Sequence, residues 1–349
     1  MLFHNSYLFK ITNSFQVKLK LFNLILLVSF SVNLYSQENY IDYQREITKA
    51  ENLLLDSMYK ESIKKFRLVL DNYSFNFSRD CIMAAQISAY IGDDSSLYHF
   101  LKKAVRFGVN IDYINSKKLY SKYHKYPWWD NFINRDYDSL RNEYIKGVNW
   151  EYKALCDKYR NIDRIIRDKD QKWYRNEYIV LRWDIRNKWI KANEKYISEV
   201  DSLIDIYGFP SYRIIGIEDS TTLPNSKNKY LGCSQFNIIY NHYSRKKMRE
   251  DKFQKHLDKL LEEVKKGNLS ARDYARIMEI NYRHSKKYKN KTSLYYVWYE
   301  PTLNPNDIYP NEEEINKRRE EIGLSNCYYE RKRKRAALMS GFEFWYFEF

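Results

Sequence analysis

Residues 82–105 read IMAAQISAYIGDDSSLYHFLKKAV, and this stretch decides the fold. Apolar side chains recur through Ile82–Tyr90 at helical spacing until Gly92. They resume over Leu97–Val105 and stop again before Gly108. Two helices joined by a tight polar turn make a helical hairpin. Immediately upstream the pattern repeats. Ile47, Ala50, Leu53 and Leu54 mark one helix, and Ile63, Phe66 and Leu70 mark a second after Ser57-Met58. Ser62, Phe66 and Val69 stand 35 residues before Leu97, Leu101 and Ala104, so the two hairpins share a register.

Working outward, Tyr120–Ile133 (YSKYHKYPWWDNFI) reads as an aromatic, loop-like break around Pro127. From Asp136 to Ile206 there is one Gly and no Pro, which predicts two or three long helices. Leu155, Tyr159, Ile162 and Ile166 form one apolar stripe; Trp183, Trp189 and Ile190 suggest another. Tyr207-Gly208-Phe209-Pro210 is a helix stop. Residues 211–234 read as loop, and Ile238–Tyr243 reads equally as helix or strand. Lys252–Lys266 is an amphipathic helix capped by Gly267, and Ser270-x-x-Asp273 opens the next in capping-box style. Tyr295–Tyr299 (YYVWY) reads as a strand, and Glu312–Ile322 as a last helix closed by Gly323. The expected fold class is therefore mainly α: a short helical-repeat module, then an α-rich domain with few short strands.

Two resemblances follow from these residues. The hairpins resemble degenerate tetratricopeptide repeats, whose period is about 34 residues. Gly92 matches the turn glycine of that repeat, Ser57 replaces it in the first copy, and Ala84-Ala85 lie where small residues let paired helices approach. The resemblance implies either a concave protein-binding surface or a packing scaffold. Residues 155–330 resemble a bacterial domain family of unknown function found in exported proteins of Gram-negative bacteria. The residues that carry it, in order, are Asp170-Gln171 with Arg175, Tyr207-Gly208-Phe209-Pro210-Ser211, and Asn241-His242. Lys265-Lys266-Gly267 with Tyr274-Ala275, and Asn316-x-Arg318-Arg319-x-x-Ile322-Gly323-Leu324, complete the series. The family usually has Gln-His where this chain has Asn241-His242, and an insertion is read around Asp219–Tyr230. The resemblance implies a domain boundary and export but no reaction. The chain thus divides into a signal peptide (1–36), a repeat module (38–125), an aromatic connector and helix (126–154), the C-terminal domain (155–330) and a basic, aromatic tail (331–349).

Export is also read from the amino terminus directly. Lys10, Lys18 and Lys20 precede the apolar run Leu21–Val32, and Asn33-Leu34-Tyr35-Ser36-Gln37 follows. This is the order of a secretory signal cleaved after Ser36. The run is short for a membrane span of about 20 residues; an uncleaved helical anchor is the alternative, favoured by the bulk of Leu34. No Cys follows the run, which argues against a lipid anchor. Periplasmic or secreted localisation is expected. The 349 residues carry a net charge of +15, with 44% hydrophobic residues, a share sufficient for a buried core. Cys81, Cys156, Cys233 and Cys327 are widely spaced and form no C-x-x-C pair. In an oxidising compartment two of them pair, or all four sit buried as single thiols; the spacing leaves both open.

Chemistry-bearing patterns are sparse. There is no P-loop, no G-x-G-x-x-G, no G-x-S-x-G and no H-E-x-x-H, so no cofactor and no metal site is expected. His242, after the apolar run Phe236–Tyr240, is the candidate catalytic residue, because a half-buried imidazole titrates near neutrality. Gln171 and Arg175 share a helix face beside Asp170, and with His242 they are the candidate ligand-binding set for an anionic or polar molecule. The plainer reading makes all four structural. Arg331–Arg335 (RKRKR) resembles a nucleic-acid patch, but in an exported chain it reads as a solvated helix face or a contact to an anionic membrane surface. Nucleic acid is not an expected partner. The leading expectation is a protein-interaction or scaffold role in the cell envelope. The alternative is an enzyme or small-ligand module centred on His242.

Overall fold

The computed structural model describes residues 38–174, 179–217, 250–284, 293–297 and 311–340. The signal segment, Arg175, the insertion, Ile238–Tyr243 with His242, Cys233, and the aromatic end at 341–349 lie outside the described residues.

Four helices open the described chain: α1 (Tyr40–Leu55), α2 (Tyr59–Asn72), α3 (Ser78–Ile91) and α4 (Asp94–Arg106). Asn39 caps α1 by accepting the Ile41 amide at 3.0 Å, and Asp93 caps α4 by accepting the Ser96 amide at 3.0 Å. Ser57 (φ 62°) and Gly92 (φ 77°) both turn the chain through the left-handed region. They stand 35 residues apart, so the two hairpins turn at equivalent positions although only one uses the residue suited to that conformation. Ser62, Phe66, Val69, Leu97, Leu101 and Ala104 are all buried, as the shared register predicts. Ser62 Oγ also donates to the Ala50 carbonyl at 2.7 Å, tying α2 to α1. Every residue of Cys81–Ala89 is buried, so α3 is packed on all sides rather than along one stripe.

The expected break at Tyr120–Ile133 is instead mostly helical. After α5 (Ile111–Asn115) come a 3-10 turn at Lys118–Tyr123, α6 (Pro127–Asn131), a π-turn at Phe132–Asp136 and α7 (Tyr137–Gly147). Pro127 starts a helix here, because its missing N–H belongs to a first turn that has no intrahelical acceptor. Tyr123, Trp129 and Phe132 are buried in the same core as α1–α4.

Where the sequence predicts two or three long helices between residues 136 and 206, the chain forms α7, α8 (Trp150–Tyr174) and α9 (Ile179–Tyr207). α8 and α9 pair through Tyr159 and Tyr196, ring centroids 4.0 Å apart, and through Trp189 Nε1 donating to Asp163. α10 (Glu250–Lys265) and α11 (Ala271–His284) join them in a second core containing Cys156, Val200, Leu260, Val264 and Ile277. α12 (Glu312–Glu321) is not the last helix, because α13 (Cys327–Ser340) follows.

The strand expected at Tyr295–Tyr299 is absent as far as Val297, where the described residues end, and no strand occurs among the described residues. Tyr296 sits at φ 57°, off the extended region. The Tyr295 amide donates to Glu279 at 2.7 Å and its carbonyl accepts from Arg319 at 2.6 Å, so side chains rather than a neighbouring strand satisfy the backbone. Cys81, Cys156 and Cys327 are buried free thiols, raised above their ordinary range by burial. No helix among the described residues is long and apolar enough to cross a membrane.

Candidate functional site

The most elaborate polar construction lies where α12 and α13 meet α1. One face of α1 packs on α2; another receives the carboxyl-terminal helices. Thr48 Oγ1 donates to the Gly323 carbonyl at 2.7 Å. Gly323 sits at φ 80°, and a Cβ there would meet the Ile41 carbonyl oxygen at 2.7 Å and the Arg45 amide at 2.8 Å. The close approach of the two backbones therefore requires glycine. Farther along α1, Asp56 accepts from Tyr329 Oη at 2.8 Å and from Lys332, and Glu51 accepts from Arg333.

Glu330 is the centre of this joint. Its carboxylate accepts from Arg272 (3.0 and 3.4 Å), Arg319 (2.7 Å) and Arg333 (2.9 Å). Arg319 is 0% exposed and spends its remaining donors on the carbonyls of Tyr295 and Ser325. Burial alone would raise the Glu330 pKa. The charges of Arg272, Arg333 and Arg319 override it and hold the carboxyl well below the usual range. Glu51, on α1, offsets part of the cationic excess through Arg333.

A second buried carboxylate behaves oppositely. Asp80 on α3 accepts from Tyr43 Oη at 2.8 Å and lies 3.4 Å from Arg79 Nε. Burial pushes its pKa up; Arg79 pulls it back and Glu51 raises it again, leaving it at about 6. Arg79 in turn feels Tyr212 and Asp273, and it donates to Gln44 at 3.3 Å. Asp273 belongs to the cap of α11: its amide donates to Ser270 Oγ at 3.1 Å, and that hydroxyl donates back to the Asp273 carboxylate at 2.5 Å. The Ser270 half of the expected capping box is present, whereas the Asp273 side chain, shorter than Glu, takes the Ser270 hydroxyl in place of its backbone amide.

Asp170 and Gln171 lie on α8, and their side chains are outside the described residues, as are Arg175 and His242. The basic run needs correction. Arg331 and Arg333 are buried rather than solvated, each in an ion pair, Arg331 with Glu312 at 2.9 Å. Among the described side chains of the run, Lys332 is half-buried and Arg335 exposed. Sequence reasoning missed Glu51, Asp80, Arg272 and Glu330. An available signal was the acid Glu330 preceding a cationic run on a helix, which favours internal pairing.

Other motif residues prove to be joints. Glu263 accepts the Phe209 amide at 2.7 Å, Asn268 Nδ2 at 2.8 Å and Lys266 Nζ at 2.9 Å. Through them the Tyr207–Ser211 turn is fixed to the Lys265–Gly267 turn. Asn316 accepts the Cys327 amide at 2.8 Å and so sets the angle between α12 and α13.

No protein-family model, curated protein or solved structure matches this chain.

Among the described residues, no group of three or more His, Cys, Asp or Glu side chains is placed to hold a metal ion. Chemically, the Glu330 network is a buried ionic clamp. Its guanidinium and carboxylate groups face one another in a buried joint, an arrangement that fixes the relative position of helices far apart in sequence.

Proposed function

We propose that this chain is a protein-interaction scaffold of the cell envelope, exported by its amino-terminal segment. The observation that supports it is the clamp. Two helical hairpins in register are held from behind by α12 and α13, through Glu330 and its three arginines and through Asp56 and Glu51. A clamp of this kind lets a short array of hairpins present a fixed surface, since stacked hairpins otherwise draw their rigidity only from neighbours. The resemblance of the hairpins to tetratricopeptide repeats points the same way, as does the exported habit of the family that residues 155–330 resemble.

The test is fractionation followed by affinity capture. The tagged full chain is expected in the periplasm or medium with Gln37 as its first residue. It should retain one protein from an envelope extract in stoichiometric amount after washing in about 0.3 M salt, where surface electrostatics are largely screened. A chain retained in the cytoplasm with its first residues intact overturns the export half. A chain that retains no stoichiometric partner overturns the scaffold half.

A further inference from the structure

Among the described residues one end of the helical stack is uncovered, and the chain's own internal register points to what fits there. At the covered joint, α2 meets α4 through three residues on each side. Arg67 Nη2 donates to Ser96 Oγ at 3.1 Å. Asp71 Oδ1 lies 3.0 Å from both His99 Nε2 and Lys103 Nζ, and Lys103 also donates to the Leu70 carbonyl at 2.8 Å. Positions 67, 70 and 71 of one helix thus grip positions 96, 99 and 103 of the next. The relation recurs one step on, where Lys102 pairs with Asp136 at 3.2 Å and Arg106 with Glu143 of α7 at 2.9 Å.

Subtracting the 35-residue register carries Ser96, His99 and Lys103 back onto Glu61, Lys64 and Leu68 of α2. These are the gripping positions of the first hairpin. They line an open groove of about 490 Å³, together with Leu53 at the end of α1. Glu61 and Lys64 are exposed, and Leu68 is 56% exposed although it is a large apolar side chain on a packed helix. Leu53 is half-buried, whereas its register counterpart Ser88 is fully buried. This face has the geometry of a repeat joint with no preceding helix among the described residues.

We propose that the groove takes an amphipathic helix of a partner protein, lying on α2 as α2 lies on α4. The chemistry of that helix follows from the joint already formed. There an acid, Asp71, faces the His99 imidazole; on the open face the Lys64 ammonium occupies that place, so the incoming helix carries an acid opposite Lys64. At position 103 the covered joint has Lys, whereas the open face has Leu68 beside Leu53. The incoming helix therefore presents an apolar residue there, one turn from its acid. This inference rests on the scaffold reading and names the partner's contact surface within it.

The helix that already plays this role inside the molecule supplies the probe. A labelled peptide with the sequence of residues 59–72, stapled into a helix across the positions of Lys65 and Val69, on the opposite side, carries the gripping residues Arg67, Leu70 and Asp71 on its free face. Titrated with the full chain and followed by fluorescence anisotropy, it should bind saturably. Leu68→Asp in the chain should weaken binding by roughly tenfold or more. Lys64→Glu should weaken it similarly, and Asp71→Lys in the peptide should recover the Lys64→Glu loss. Both substitutions are at exposed positions, and an unchanged circular dichroism melt confirms that the variants fold. Absence of saturable binding overturns the proposal, as does binding indifferent to Leu68→Asp. Concentration-dependent self-association of the chain, lost with Leu68→Asp, also overturns it by making a second copy the occupant. If the envelope capture retains a partner that ignores Leu68→Asp, the scaffold reading stands and this one falls.

Discussion

Replacing Glu330 by Gln tests the clamp most directly. Glutamine keeps the volume and one acceptor oxygen, so little packing is lost and the change is almost purely one of charge. In the native joint the carboxylate answers Arg272, Arg319 and Arg333 at 2.7–3.4 Å. Without it, three guanidiniums face each other with Glu51 left as the acid bound to one of them. Removing one partner of a buried ion pair typically costs about 3–5 kcal/mol. Single domains hold only about 5–15 kcal/mol in total, so the variant should lose roughly a fifth or more of its stability. Each kcal/mol moves the midpoint of a chain this size by about 2–4 °C, so a fall on the order of 10 °C is expected. Urea unfolding at pH 7.5 measures the free-energy loss and a thermal melt the temperature shift, both followed by far-ultraviolet circular dichroism. The pH dependence adds a second check. The Glu330 pKa is depressed on folding, so its contribution is complete above the ordinary carboxylate range and is lost as pH falls below it. Wild type and variant should therefore converge in strong acid. Adding Arg272→Met to Glu330→Gln should return part of the loss by removing a surplus charge. A loss under about 1 kcal/mol at pH 7.5, or one that persists unchanged at pH 2, would refute the account.

Three further outcomes are expected. Asp80→Asn leaves the buried Arg79 without its carboxylate, so its fixed cost is separate from its pH dependence. Because the Asp80 pKa is raised on folding from 3.8 to about 6, the wild-type contribution is complete below pH 4 and lost as pH rises through 6; relative to wild type the variant should gain about 3 kcal/mol between pH 4 and pH 7.5, and a difference that is the same at both pH values contradicts the assignment. Gly323→Ala should cost more than about 1 kcal/mol, since its Cβ meets two backbone atoms of α1 that have no rotamer to yield; a melt equal to wild type would mean that α1 and the α12–α13 turn separate freely. Ser270→Ala should cost about 1 kcal/mol through loss of the α11 cap, with faster amide exchange confined to the first turn of that helix.

The hairpins were legible in the sequence because one rule governed them. Ser62, Phe66 and Val69 repeat as Leu97, Leu101 and Ala104, and periodic burial is a local property. The segment around Pro127 was not, because clustered aromatics and a proline suit both a loop and a short helix start; packing against the main core decided between them. Tyr295–Val297 misled for a related reason. Three large side chains in a row look like a strand, but Glu279 and Arg319 take up the backbone groups that a strand would pair. The clamp was hidden more deeply. A run such as Arg331–Arg335 looks uniform by composition, and which of its members turn inward depends on where Glu51, Glu312 and Glu330 lie in space. Asp80 resembled any acid in the first turn of a helix, and only the neighbourhood of Tyr43 and Arg79 distinguishes it.

The contacts between α1 and α13 join residues 273 to 282 positions apart in the chain. During synthesis the first hairpins emerge long before Lys332 and Arg333 exist. Until then Glu51 and Asp56 have only water to answer their charge on that flank, and the face that Gly323 will cover stays wet. Closure of a loop this long is slow compared with local helix formation. The nascent chain therefore passes through a period in which its earliest helices are formed but unlocked. A chain still loose in this way is also one that can be threaded through a narrow channel.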